Sequence, residues 1–366
     1  MTKKQLQSFR QTLTEWYAAN KRDLPWRNTT DPYSIWISEV MLQQTQVNTV
    51  LPFYGKFIRR FPTPKRLAKA DLQDVLKQWE GMGYYGRARN LHKAAGIVMN
   101  RYQGMIPRRW EDFRKLPGVG DYIAAAVLSI AFKEPYPVID GNVKRVLSRL
   151  LIMDDPVNRS ASMKSFRSAA TEFLDRHHPG TFNQAMMELG AMICKPQQAL
   201  CTTCPVHPFC SAYKRDRVED FPKKIKKDPT PLYPIAVGVV FKKGRVLITR
   251  RKLDGLLGGL WEFPGGKIKK GETAETACIR EMKEEVSLKI RIESHLCSVR
   301  HAYTHFKIRM DVFCCSYVSG RVRLNGPTDH RWIPLDRLSD YPFPRANHKF
   351  IPQLKQYASR RSNTED

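Results

Sequence analysis

Cys194, Cys201, Cys204 and Cys210 lie within seventeen residues in the pattern C-x6-C-x2-C-x5-C. Closely spaced thiolates bind soft or borderline metals, and four of them can close a site without a water position. Zinc sites more often show two short C-x-x-C knuckles, whereas this run has one close pair. Upstream, Leu116-Pro-Gly-Val-Gly120 precedes an apolar helical run. Its glycines, Gly118 and Gly120, let successive backbone N–H groups converge on an anion, although such a pair by itself is also an ordinary turn. Asp140, in Val138-Ile-Asp-Gly-Asn142, stands where a helix should begin. There it either serves as a cap, worth about 1 kcal/mol, or is an anion kept ionised by the positive helix end, suited to facing a cation. Glu39 is the opposite case. It sits inside Trp36-Ile-Ser-Glu-Val-Met-Leu, where apolar neighbours would raise its pKa and let it donate a proton, although a lone helical glutamate is more often a solvated surface group. Farther on, Glu281, Glu284 and Glu285 follow Arg280 in a helical run, with Glu281 and Glu285 on one face. They suit Mg²⁺ and a diphosphate, or simply form a solvated face.

The elements needed to hold these groups are legible. Up to about residue 213 the pattern is helical. Leu6, Phe9, Leu13, Trp16 and Tyr17 mark one buried face, Asp31-Pro32 opens a helix, and other helices follow Asp71, Gly86, Asp121, Asp140 and Ser160. Residues 214–232 are charged and rich in proline, which reads as a linker. Strand-like runs then appear at 235–241, 245–250, 289–292 and 310–318, with one helix at 273–285. The expected architecture is therefore multidomain, with an all-α unit over 1–213 and an α+β unit over 233–366.

The chain has 366 residues and a formal charge of +27. Residues 1–230 contribute +16 and residues 231–366 contribute +11, so both parts suit a polyanion. The start, Met1-Thr-Lys-Lys-Gln-Leu, lacks a leader pattern, and no apolar run is long enough to span a bilayer. Together with clustered rather than framework cysteines, this predicts a soluble, cytoplasmic protein without membrane contact; the sequence does not set the oligomeric state, and a monomer is the default.

Hairpin, Asp140 and cysteines in this order resemble the helix-hairpin-helix DNA glycosylases over residues 1–213. The cysteine spacing resembles the four-iron–four-sulfur loop of the endonuclease III and MutY families. Leu24-Pro-Trp-Arg27, Glu39-Val-Met-Leu-Gln-Gln-Thr45, Gly81-Met-Gly-Tyr-Tyr-Gly-Arg87 and Phe182-Asn-Gln-Ala-Met-Met-Glu-Leu-Gly190 resemble the MutY family of adenine glycosylases. That resemblance implies base excision repair of double-stranded DNA containing adenine paired with 8-oxoguanine or guanine, and one 4Fe-4S cluster on Cys194, Cys201, Cys204 and Cys210. Glu39 would protonate adenine, Asp140 would stabilise the sugar cation, and Tyr122 and Asn142 would support them. Trp26, Arg27, Gln184 and Glu188 would line or brace the adenine pocket. Gln44 and Tyr84 would wedge into the duplex, and Gly118, Gly120 and Lys144 would touch its backbone. Tyr84 and Tyr85 also fit as plain core aromatics. Bifunctional relatives carry a Schiff-base lysine two residues after the hairpin; Tyr122 cannot form an imine, so hydrolysis without strand cleavage is expected. The alternative is an endonuclease III-like glycosylase and lyase.

From Gly266 the spacing G-x5-E-x7-R-E-x-x-E-E-x-S resembles a Nudix box, with Ser287 in place of the usual glycine. The resemblance implies a domain that reads 8-oxoguanine through His301-Ala-Tyr303-Thr304-His305. Because the box is nearly intact, it also leaves open Mg²⁺ on Glu281, Glu284 and Glu285 and nucleoside-triphosphate hydrolysis.

Overall fold

Among the described residues every element before Leu232 is helical, as the apolar spacing predicts. The protein is represented by a computed structural model that describes residues 1–226 and 228–362. By contact the chain divides into two units, Met1–Lys69 with Lys93–Lys227 and Ala70–His92 with Asp228–Asp366.

In the first unit the helix Lys3–Asn20 starts on a Thr2/Gln5 capping box and buries Phe9, Leu13 and Tyr17. Residues four apart share a face, so these three side chains meet the helix Pro179–Met192. Asp31 accepts from the backbone N–H of Tyr33 and Ser34 and starts Pro32–Leu42 with a first-turn proline. Asp140 accepts from Val143 N and starts Gly141–Leu151, whose stripe of Val143, Val146, Leu147 and Leu150 is buried with Phe9, Phe166 and Phe182. Each such side chain contributes about 1.5–3 kcal/mol. These helices deliver the site residues to one place.

The stretch expected to be a linker is partly built into this unit. Phe221 is 1% exposed, the N–H of Val157 donates to Lys223 O at 3.0 Å, and Arg149 Nε donates to Phe221 O at 3.0 Å. Composition misleads here because a single aromatic anchor suffices, with Arg217 and Lys223 set against its ring.

Among the described residues of the second unit seven strands form one mixed sheet: β1 (Leu232–Lys242), β2 (Arg245–Arg250), β3 (Trp261–Glu262), β4 (Gly265–Lys267), β5 (Lys289–Ala302), β6 (Lys307–Ser319) and β7 (Asp329–Ile333). The order is β3-β2-β1-β6-β5, with β4 on β1 and β7 on β2; β1 and β6 run parallel. The helix Ala274–Val286 covers one face through Ala277, Cys278, Met282 and Val286. Strand β5 extends ten residues beyond the expected run. Its alternate positions are polar and exposed and its register shifts along β6, so the apolar alternation that marks a strand is broken. Ser287 ends the helix at φ +56°, a left-handed conformation that explains why glycine is usual there.

Residues 70–92, read as part of the all-α domain, instead group with the sheet. Gln73 is held at both ends, donating to Gly259 O at 2.9 Å and accepting from Trp261 Nε1 at 2.8 Å. Glu80 accepts from Phe343 N at 2.8 Å and is bonded to His348 Nε2 at 2.9 Å. The sequence signal is helical on both sides of this segment, so periodicity could not reveal its partner.

Candidate active site

A cavity of about 550 Å³ in the first unit is lined by Glu39, Tyr122, Asp140, Asn142, Trp26, Arg27, Gln44, Gln184 and Glu188. Residues from five separate stretches of chain therefore meet, within the size range of a small-molecule site. Glu39 comes from the middle of Pro32–Leu42 and is 4% exposed. Burial pushes its carboxyl up to about 7, and the nearby charge of Asp140 acts in the same direction; the bond from Tyr122 and the charge of Arg27 oppose. The Tyr122 hydroxyl donates to Glu39 Oε2 at 2.5 Å.

Asp140 accepts from Val143 N at 2.7 Å and from Asn142 Nδ2 at 2.9 Å. Its pKa was expected to be held low by the helix end. Instead burial raises it, against those bonds and the charge of Arg145. The helix terminus does not outweigh desolvation in this cavity. A chemical asymmetry between the two acids nevertheless remains. Both partners of Asp140 are N–H donors that cannot accept a proton, so they favour its anion. The partner of Glu39 is a hydroxyl, which can donate to a carboxylate or accept from a carboxylic acid. Only Glu39 can change protonation state and keep its partner.

Behind Asp140, Arg145 Nη2 donates to Asn142 Oδ1 at 2.8 Å and to Gly190 O at 2.6 Å. A Cβ on Gly190 would stand 2.6 Å from the Asn142 Cβ, so glycine is what lets Pro179–Met192 approach this closely. Asn183 holds the entry strand to Asp140, accepting from Val138 N at 3.0 Å. Neither Arg145 nor Asn183 was expected from the sequence.

Glu188, 1% exposed along its side chain, accepts from Arg22 Nη2 and Arg27 Nη2 at 2.6 Å each and also from Arg22 N, Arg22 Nε and Arg27 Nη1. Burial alone would raise its pKa, but these bonds hold it down to about 2. Its oxygens are saturated, so Glu188 braces the wall. Arg22 was missed because a lone arginine before Asp23 carries no pattern. Gln184 lies one turn earlier, with its amide toward Tyr17. Trp26 packs edge-on against Tyr54, with centroids 5.1 Å apart.

Gly118 takes φ +78°, the left-handed turn expected of the hairpin, and Gly120 caps Asp121–Phe132. Lys144 donates to Val157 O at 3.2 Å and does not line the cavity. Exposed Gln44 has φ +57° and Tyr84 has φ +50°, unfavourable for non-glycine residues and recurrent at functional positions.

In the second unit the two tyrosines separate: Tyr85 is 3% exposed and belongs to the core, while Tyr84 is 40% exposed. The Tyr84 hydroxyl is hydrogen-bonded to Thr304 Oγ1. Tyr303 closes a turn onto Phe306 and stacks on its ring, leaving Thr304 and His305 exposed. Arg280 binds Glu272, Glu281 and Glu284. Glu285 accepts from Gly265 N at 3.1 Å, and burial, then the charge of Glu262, pushes it up to about 7. Among the described residues no three His, Cys, Asp or Glu side chains are grouped to hold a metal ion, Glu281, Glu284 and Glu285 included.

The four clustered cysteines are partly buried in one loop, where Cys194 and Cys210 act electrostatically on both Cys201 and Cys204. Arg149 Nη1 lies 3.4 Å from Cys194 Sγ and its carbonyl accepts from Cys210. The donor set is all thiol, with a cation alongside to offset thiolate charge.

Residues 37–170 match the model of the HhH-GPD superfamily base excision DNA repair protein, and residues 236–353 match the NUDIX domain. A mouse adenine DNA glycosylase is 35% identical, the alignment covering 89% of this chain and 74% of the relative. The adenine DNA glycosylase of Buchnera aphidicola subsp. Acyrthosiphon pisum (strain APS) is 31% identical, covering 95% of this chain and 98% of the relative. Among solved structures, a thermostable thymine-DNA glycosylase is 30% identical with a TM-score of 0.54, covering 58% of this chain and 98% of its own. An endonuclease III trapped on DNA shares the fold at 24% identity and a TM-score of 0.51, over 59% of this chain and 99% of its own. No helix among the described residues is long and apolar enough to cross a membrane.

Proposed function

The chain belongs to the adenine DNA glycosylase family, and from that premise we propose that it hydrolyses the N-glycosidic bond of adenine opposite 8-oxoguanine or guanine in duplex DNA, without cutting the strand. The observation that carries this reading is the convergence of Glu39 and Asp140, a hundred residues apart in sequence, on one cavity. An acid near 7 can protonate the departing base at N7. The carboxylate of Asp140, held by N–H donors alone, faces the positive charge that develops on the sugar. Tyr122 keeps Glu39 in place through the proton transfer, and water then completes the hydrolysis. The nucleotide must leave the stack to reach this depth, at a cost of a few kcal/mol. Gln44 and Tyr84, on strained surface turns, suit that extrusion.

Strand cleavage through an imine needs an amine at the sugar. Tyr122 occupies the position where a bifunctional relative would carry lysine, and Lys144 is engaged by Val157. Adenine is a normal base, so selection must come from its partner. Thr304, exposed and bonded to Tyr84, joins the expected reading loop to the expected wedge within one unit. The four clustered cysteines would hold one 4Fe-4S cluster, which when bound cross-links their loop. With Arg280 occupying Glu281 and Glu284, the second unit is read as a recognition domain.

The test is a glycosylase assay on adenine opposite 8-oxoguanine, guanine or thymine, followed by alkali. Adenine release opposite the first two, with strand breaks only after alkali, is expected. Breakage without alkali would mean a lyase, and binding without release a noncatalytic sensor.

A further inference from the structure

Gln184 lines the cavity, and its amide has a polarity that a base can read. Its Oε1 accepts from the Tyr17 hydroxyl at 3.1 Å, and its Nε2 donates to Gly180 O at 3.4 Å. A carbonyl can only accept, so the amine end must face Gly180 and the oxygen must face Tyr17. Of these two grips the Tyr17 bond is the shorter. One lone pair on Oε1 and one N–H on Nε2 remain for a ligand. That pair complements an edge carrying an exocyclic amine beside a ring acceptor, as in adenine. Guanine presents the reverse, a carbonyl beside a ring N–H. The turned amide would suit guanine and would set oxygen against the Gly180 carbonyl. Glu188 cannot share this task, because Arg22 and Arg27 saturate it.

We infer that Tyr17 is a specificity-positioning residue: the Gly180 carbonyl sets the amide polarity of Gln184, and the Tyr17 hydroxyl, donating to Oε1, holds that amide in place so that the cavity selects a 6-aminopurine. Tyr17 is well placed for this. It is buried in the packed face of Lys3–Asn20, and the Arg27 guanidinium lies over its ring at 5.5 Å, so the hydroxyl has little freedom to wander. It touches neither Glu39 nor Asp140 through any bond found among the described residues and acts on the base only through Gln184. The inference rests on the glycosylase reading above and names which group in that cavity reads the base.

The experiment compares single-turnover base release by the full chain and its Tyr17→Phe variant. The substrates are duplexes with adenine, unsubstituted purine or guanine opposite 8-oxoguanine. Phenylalanine keeps the ring and removes only the hydroxyl. The expected result is that the preference for adenine over purine and guanine shrinks about tenfold, the worth of one lost hydrogen bond, while the variant melts as a folded protein. A Gln184→Ala variant should show the same reduced preference, and adding Tyr17→Phe to it should change the ratios no further. Rates that fall by one common factor on all three bases, leaving the ratios intact, would overturn the inference. So would a further loss of preference in the double variant. A wild type that releases no adenine would instead sink the glycosylase reading itself.

Discussion

Two carboxylic acids in this molecule, Glu39 in the first unit and Glu285 in the second, are both pushed up to about 7. In each the leading cause is burial, and in each a second carboxylate adds to it, Asp140 in one case and Glu262 in the other. Yet their surroundings differ in chemistry. Glu39 is bonded to a hydroxyl that can follow a proton in either direction, and it lines a cavity with room for a base. Glu285 is bonded to a backbone N–H, which only donates, beside Arg280 already spanning three other glutamates. A near-neutral pKa therefore marks burial, and the partner and the space beside it decide whether the proton can be used.

The strongest way to break this contrast is to neutralise the first pair. Asp140→Asn and Glu39→Gln should each lower the single-turnover rate of adenine release by about 10³-fold or more, while mismatch binding in a mobility-shift assay persists. Full activity in either variant would overturn the assignment of the pair. Next comes Gly190→Ala. Its methyl would collide with the Asn142 side chain, displacing the donor that holds Asp140. A rate loss of about 100-fold is expected, together with a lower melting temperature.

Those residues also mark how far the sequence could be read. Glu39, Asp140 and the glycine hairpin each sit in a patterned run, an apolar helix, a helix start and a turn, but it was the family resemblance that paired the two acids. Arg22, Tyr17, Arg145 and Asn183 were not legible, since their roles depend on partners 45 to more than 160 positions away. Local periodicity places a side chain on a helix face but does not say which other helix it meets. The same blindness hid the grouping of residues 70–92 with the sheet and the anchoring of residues 214–226 by Phe221. The ionisation of Asp140 was misjudged for a related reason: the capping position was visible, whereas the depth of the cavity around it was not.

A smaller effect sharpens the comparison through pH. Glu39 must be protonated to donate, so adenine release should fall as pH rises through about 7. The Tyr122 bond lowers that pKa, so Tyr122→Phe should move the alkaline limb upward even as the rate drops. An unchanged limb in the variant would show that another group titrates.

The smallest expected effects separate the two acids by stability. A buried acid raised to about 7 keeps its proton after the unfolded chain has lost it near 4.5. The contribution of each such acid to stability is thus most favourable below about pH 4.5, declines as pH rises to about 7 and stays at the reduced level above it. A neutral amide removes this cost, so both Glu39→Gln and Glu285→Gln should melt above wild type at pH 8 and close to it at pH 4.5. Glutamine at 285 still offers an oxygen to Gly265 N–H, so its local geometry should survive. The two variants should then part on activity: Glu39→Gln inactive, Glu285→Gln releasing adenine within about twofold of wild type, the scatter of a neutral substitution. The full chain should also turn over oxidised dGTP with magnesium no faster than Glu284→Gln does. Turnover above that control, lost in Glu285→Gln, would show that the second acid works as well, and that a donor-only partner does not silence a buried carboxyl.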